Sequence, residues 1–409
     1  MADFNVSDET TLILDGIRAF LDAEVRTREE KLSDILDDPH RLYGADGRYH
    51  PEVVNAMREV REASANAGYY SMFVPASVGG GGQDFRTYYD AWEALYHHTG
   101  PGRVLPTWAL AHWATGPNSL HRHLDPSVQT DFLEPLLSGR KSSCFALSEP
   151  DAGSDVWNIR TRAVRDGDVW RISGTKQWIT NSPYADCGIV FAVTDPERAE
   201  ARTGGVSAFV FDTGQAGFHV DSVIRLFGHP GGDEGILSFD GLEVPDANRL
   251  GPINEGFPLA LEGVNFGRLY NGARSVGLAR WALERATEYA KNRETFGQPI
   301  AEHQAVQILL ADSAIEIYAA RAAGLHAAWK VDQGGRAIKE LSMMKAFSTE
   351  SCFRVYDRAI QVFGGMGVTN EMRLVDGLHT ARTIRIADGT QEILRRTIAR
   401  QLLRGDFEF

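Results

Sequence analysis

Apolar residues recur at three- and four-residue spacing from the start of the chain. Ile13, Ile17, Phe20, Leu21 and Val25 fall on one face of a helix, and roughly the first 140 residues read mostly as helix in the same way. Near Ser143 the pattern changes. Up to Pro245 the chain runs in short β-type segments separated by turns (WRISGTKQWIT, GIVFAVT, SAFVFDT, FHVDSVIRLFG, GILSFDGLEVP), which predicts a small β domain. After NRLGPINEG the helical period returns over about 270–292, 303–333 and 337–363, with Gly334-Gly335 and Gly364-Gly365 as stops. A last amphipathic helix carries Ile393, Leu394, Ile398 and Leu402. The expectation is an α+β protein: an N-terminal helical domain over 1–142, a middle β domain over 143–248 and a C-terminal helical bundle over 249–409, with the ligand site at the domain junctions. No internal repeat is present, so solenoid folds are excluded.

Composition narrows the function classes. A chain of 409 residues exceeds the size of one growing core, which agrees with two or three domains. The net charge of −13 argues against a nucleic-acid or anionic-membrane surface, since both require basic faces. Cys144, Cys187 and Cys352 are too scattered for a disulfide framework or a zinc site, so no metal is expected and a reducing cytoplasm fits. The N-terminus has no basic and apolar signal regions, and no stretch approaches 18 apolar residues, so neither export by a cleavable signal nor a membrane span is expected.

Two short stretches invite a chemical reading. PASVGGGGQD (Pro75 to Asp84) has the composition of a phosphate loop but lacks a following Lys-Ser/Thr and a GxGxxG strand context, so it reads as a connector. TIRIADGTQEILRR sets one carboxylate, Asp388, beside Gly389 and Thr390 just before a helix. Asp388 reads locally as an N-cap with Gln391 three residues on, a capping box; the rest of the chain must decide whether it is a carboxylate placed for chemistry.

CFALSEPDAGSDV followed by ISGTKQWITN resembles the flavin-facing β-domain signature of the acyl-CoA dehydrogenase family, and RETFGQPIAEHQAVQ, QVFGGMGV and ADGTQEI follow in the family's order. The resemblance covers essentially the whole chain. It implies FAD lying between the β domain and the bundle, with its adenosine end reaching a neighbouring subunit. On this resemblance Phe145, Leu147 and Ser148 line the ring's pyrimidine side, Ser154 meets the pyrophosphate and the substrate, and Trp178 and Thr180 flank the ring from one strand face. Arg293, Thr295, Phe296 and Gln304 match positions that hold the phosphates and adenine, Gln361 and Gly365 match the partner subunit's share, and Thr390 joins the FAD set. A site shared across subunits implies a homo-oligomer, in this family a tetramer built as a dimer of dimers.

The implied reaction is α,β-desaturation of an acyl-CoA thioester: a carboxylate removes the α-proton and the β-hydrogen leaves as hydride to flavin N5, with electron-transfer flavoprotein as acceptor. Asp388 matches the base's position, where most members carry Glu; the missing methylene withdraws the carboxylate by roughly 1.5 Å. Related enzymes place the base before a bundle arginine, here Arg268, but Gly267 precedes it and Glu262 lies off its helical face. Arg268 and Gly389 fall at the substrate, and Arg336 either matches an arginine near the phosphorylated end of CoA or is an exposed arginine at a helix start. Glu392 stands where Gln commonly contacts FAD; it is expected to turn away or pair with Arg395 or Arg396. Trp108, His112 and Trp113 lie where the acyl tail enters, with Trp108 and His112 four apart on one helical face, favouring short, branched or ring-bearing groups. A flavin oxidase resembling nitroalkane oxidase, or a non-catalytic acyl-CoA-binding relative, remain alternatives.

Overall fold

The computed structural model describes residues 6–408. From Ser143 to Leu250 the short apolar runs form strands of one sheet: β1 (Ser143–Ala146), β2 (Arg162–Asp166), β3 (Val169–Thr180), β4 (Cys187–Val193), β5 (Val206–Asp212), β6 (Phe218–Val223), β7 (Glu234–Pro245) and β8 (Arg249–Leu250). Their order is β6-β7-β3-β2-β4-β5-β8, with β1 paired parallel to β4. Strand alternation sends Trp170 and Ile172 of β3, Val190 and Ala192 of β4, Phe209 and Phe211 of β5 and Leu237 and Phe239 of β7 into one apolar core. The sheet lies in a compact unit formed by 20–83 and 104–263.

The Gly-rich connector belongs to this unit, and its backbone is already satisfied. The N–H groups of Gly80, Gly81, Gly82 and Gln83 donate to the carbonyls of Pro75, Ser71, Val74 and Met72. A Cβ on Gly80 or Gly81 would collide with the backbone of Val74 or Met72, so the glycines serve close chain approach and no phosphate cradle forms.

The second unit holds residues 6–19, 84–103 and 264–408. Helix Ile338–Phe363 is its centre, packing against helices Gln304–Asp332, Leu374–Ile384 and Gln391–Leu402. The bundle helices begin and end close to the expected positions, except the one expected over about 270–292, which is a 37-residue helix, Gly256–Asn292. Gly263 and Gly267 make its first half look broken, yet Gly263, Gly272 and Gly277 permit close packing: a Cβ at Gly272 would strike Met344 Sδ, and one at Gly277 the carbonyl oxygen of Glu93. Alanine at 277 gains about 1 kcal/mol of helix propensity but meets a backbone that cannot swing aside. Gly277→Ala is therefore expected to lower the thermal midpoint, by a net of about 1–3 kcal/mol in stability.

The opening helix also departs from a single regular face. Asp8–Phe20 runs into a π-helical turn, Leu21–Val25, which buries Leu21 and Val25 while Ile13 stays half-exposed. Among the described residues no helix is long and apolar enough to cross a membrane.

Candidate active site

Between helices Leu374–Ile384 and Gln391–Leu402 the chain makes a short turn in which Asp388 and Gly389 both take left-handed backbone angles, φ 53° and 99°. Thr390, rather than Asp388, is the N-cap of the last helix: its Oγ1 accepts from Ile393 N at 3.4 Å. Gln391 completes no capping box, because its Nε2 donates to Thr349 Oγ1 (2.8 Å) and to the Ala346 carbonyl (3.2 Å). Asp388 is thus released from helix capping, and its left-handed backbone is a strained position for a residue other than glycine.

The half-buried Asp388 carboxylate accepts one hydrogen bond, from Asn271 Nδ2 to Oδ2 at 2.8 Å. Arg268 Nε reaches the Asp388 carbonyl at 3.4 Å, and the buried Lys345 Nζ donates to the carbonyls of Ala387 and Gly389. Desolvation pushes the Asp388 pKa up to about 6, against the pull of the Lys345 and Arg268 charges and the Asn271 hydrogen bond. Burial drives Lys345 down to about 8, with Asp388 opposing, so the lysine stays a cation near pH 7. A carboxylate of this kind is a stronger base than one in water and is ionised over most of the neutral range. Arg268 and Gly389 gather at this turn. Asn271 and Lys345 were not anticipated; the one sequence signal was a lysine inside the otherwise buried face of LSMMKAF.

Glu262 is excluded as a substitute base. Arg122 holds both its oxygens at 2.7 Å and Ser119 Oγ donates to it at 2.5 Å. Glu392 is exposed and turns onto its own N–H and the Thr390 hydroxyl, which hold its pKa low.

In the sheet unit, Phe145 and Leu147 are buried, Ser148 and Thr180 half-buried and Ser154 exposed. Trp178 is an extra residue in the β3–β7 ladder, between Gln177 and Ile179, with φ 65° and 53% exposure. The bulge interrupts simple alternation, but Ile179 points into the core at 1% exposure while Trp178 and Thr180 stay accessible on either side of it. A buried ion pair ties down the loop that carries Leu147 and Ser148. Lys176 Nζ donates to the Leu147 carbonyl and Glu149 Oε1, both at 2.9 Å, and Glu149 also accepts from the N–H groups of Arg160 and Thr161 at 2.6 and 3.0 Å.

In the bundle unit, Arg293, Thr295, Phe296 and Gln304 cluster at a tight hairpin, Glu294–Thr295 paired with Gln298–Pro299, after the 37-residue helix. Phe296 stands at its tip, 98% exposed with φ 53°. Tyr289, four residues before Arg293, stacks on Phe363 with ring centroids 4.3 Å apart, which brings the helix end at Gln361 and Gly365 to the same end of the bundle. Both of those residues are exposed.

These residues fit a bound flavin dinucleotide by their chemistry. The hydroxyls of Ser148, Ser154 and Thr180 make no hydrogen bond among the described residues, and Trp178 and Phe296 offer uncovered aromatic faces. The TWALAHWATGP stretch forms no α-helix, only a 3-10 turn at Pro106–Trp108, so Trp108 and His112 do not share a helical face. Trp113 packs edge-on to Phe145 at 5.0 Å, and the Arg61 guanidinium covers Trp108 at 4.9 Å.

Sequence profiles of the acyl-CoA dehydrogenase middle domain and C-terminal domain match residues 144–242 and 254–403. The chain belongs to the acyl-CoA dehydrogenase family. As an acyl-CoA dehydrogenase it is an FAD-dependent oxidoreductase with the family's helical, β and helical-bundle architecture. It is 32% identical over 402 residues to cyclohexane-1-carbonyl-CoA dehydrogenase of Geobacter metallireducens, covering 98% of this chain and 99% of that one. It is 30% identical over 404 residues to the caffeyl-CoA reductase-Etf complex subunit CarC of Acetobacterium woodii, with 97% and 99% covered. The structure of butyryl-CoA dehydrogenase from Megasphaera elsdenii superposes with a TM-score of 0.82 at 28% identity, covering 98% and 100% of the two chains.

Proposed function

We propose that this acyl-CoA dehydrogenase desaturates a short, branched or ring-bearing acyl-CoA thioester between its α and β carbons, with Asp388 removing the α-proton. The observation that carries this reading is the carboxylate itself: freed from helix capping, anchored through Oδ2 and raised to about pKa 6. When bound, FAD supplies the acceptor for the β-hydride. Phe145, Leu147, Ser148, Trp178 and Thr180 would hold the ring, and Ser154 the pyrophosphate and substrate. Arg293, Thr295, Phe296, Gln304, Gln361, Gly365 and Thr390 would hold the rest of the cofactor, with part of this set coming from a second copy in a tetramer. Arg268 and Gly389 border the reacting end of the thioester, where the small Gly389 leaves room for substrate.

The acyl group follows from Trp113 against Phe145, a bulky wall beside a residue assigned to the ring. The names of the cyclohexane-1-carbonyl, caffeyl and butyryl relatives support the same size range. Electron-transfer flavoprotein is the acceptor we assign, supported by the Etf complex named for the caffeyl relative. Three free, buried cysteines support a reducing cytoplasm.

Anaerobic bleaching of the flavin absorbance with a panel of thioesters tests the substrate reading. Butyryl, branched and cyclohexane-carbonyl thioesters are expected to bleach it at least tenfold faster than palmitoyl-CoA, a difference of roughly 1.4 kcal/mol in the barrier. Fastest bleaching by long saturated chains would overturn it, and silence toward every thioester with peroxide formed from nitroalkanes would move the protein to the oxidase class. Trp178→Ala is expected to weaken FAD retention about tenfold, through loss of aromatic contact, measured by flavin release on dilution.

A further inference from the structure

Three groups hold Asp388 without taking part in the proton transfer just described. Lys345, buried on helix Ile338–Phe363, grips the carbonyls of the residues on either side of it, Ala387 and Gly389, the second at 2.6 Å. Arg268 reaches the carbonyl of Asp388 itself, and Asn271, one turn further along the same helix, ties Oδ2 at 2.8 Å. Two consecutive left-handed residues, one of them not glycine, persist only where surrounding bonds over-determine them. An aspartate has a single methylene between backbone and carboxylate, so the backbone decides where its oxygens point. With Oδ2 engaged, Oδ1 is the oxygen left to accept a proton.

We infer that Lys345 and Asn271 are positioning residues of the base: Lys345 locks the 387–389 backbone in the conformation that aims the Asp388 carboxylate, and Asn271 tethers Oδ2 so that Oδ1 is presented to the substrate. The inference rests on the reading of Asp388 as the base. The charged and titratable groups facing this carboxylate are Lys345 and Arg268, with Tyr88 from helix Phe85–Thr99, whose phenol is held neutral by burial. Because the Lys345 charge lowers the Asp388 pKa whatever the backbone does, its positioning role is read from kcat with FAD bound, which a lysine that only stabilised the turn would leave untouched.

The test uses the FAD-loaded enzyme with Asn271→Leu, Lys345→Met and Lys345→Arg. Two readouts are needed: the pH profile of kcat/KM, and the titration of the Asp388 carboxyl by infrared difference spectroscopy of 13C-aspartate protein, assigned by its loss in Asp388→Asn. A cation or a donor favours the ionised carboxylate, so removing either raises its midpoint. Asn271→Leu is expected to move both readouts upward by about half a pH unit or more and to lower kcat roughly tenfold or more with FAD still bound. Lys345→Met moves them the same way with a larger loss of kcat, and Lys345→Arg, which keeps the charge and donors, restores part of it. An Asn271→Leu enzyme with the parent midpoint and kcat would overturn the inference, as would an FAD-bound Lys345→Met enzyme with the parent kcat. If Lys345→Met does not fold, Asn271→Leu decides alone. An active Asp388→Asn enzyme would remove the base reading; an inactive one beside an unaltered Asn271→Leu would remove only the positioning roles.

Discussion

Asp388→Asn is expected to lower turnover with any acyl-CoA by at least about a thousandfold while FAD stays bound. General-base catalysis is worth up to roughly ten-thousandfold, and the alternative carboxylate, Glu262, is held by Arg122 and Ser119. The same substitution is expected to stabilise the protein near neutral pH. The folded pKa of Asp388 lies near 6, above its ordinary value of 3.8, so the folded state binds this proton more tightly than the unfolded chain does. Its contribution is fully present below about pH 4 and is lost as pH rises through 6, a change on the order of 2–3 kcal/mol. An asparagine mimics the protonated form at every pH. Thermal midpoints measured at fixed protein and FAD concentration should therefore coincide near pH 4 and separate in favour of the variant by pH 7. Loss of FAD and folding together with activity would instead assign Asp388 a structural task.

Lys176→Met is expected to cost about 3–5 kcal/mol of stability, the largest structural effect of any single change considered. Lys176 and Glu149 have side chains that are 0% and 6% exposed, so removing the cation leaves a carboxylate in the interior with no counter-charge. Burial already drives the Lys176 pKa down to about 8, with Glu149 opposing. For Glu149, burial pulls the pKa upward, but Lys176 and the backbone donors outweigh it and the net shift is downward. The pair fixes more than stability. It ties β3 to the carbonyl of Leu147, next to Ser148, so the loop assigned to the flavin ring is expected to loosen and FAD to be released more readily. Replacing both partners, Lys176→Met with Glu149→Leu, should recover much of the midpoint, because the unpaired buried charge is gone. A single Lys176→Met variant with the parent midpoint would show that the network carries neither task.

What the sequence revealed, and what it hid, follows from the range of the interactions. The strands and the helices Gln304–Asp332 and Ile338–Phe363 were legible because hydrophobic period is a local property. The first half of helix Gly256–Asn292 was not, because the value of Gly263 lies in close approach to Trp113 and Phe145, far along the chain. In ADGTQE local spacing put the cap on Asp388; Asn271, 117 residues from Asp388, draws the aspartate away and leaves the cap to Thr390. Lys345 was hidden for the same reason, its carbonyl partners lying 42 and 44 residues away. At Trp178 a period-2 reading was interrupted by one inserted residue, a backbone event that the residue types around it do not announce. The flavin and thioester chemistry was legible only through the resemblance of ordered motifs to a family.

The pH dependence of the second-order rate of anaerobic flavin bleaching by a short acyl-CoA tests most directly whether Asp388 is the base, because that rate reports the ionisation of the free enzyme. The expected profile rises tenfold per pH unit on its acid side and levels off with a midpoint near 6, the position set by the surroundings of this carboxylate. A flat profile between pH 5 and 8, or a midpoint that stays in place when Asp388 is replaced, would contradict it.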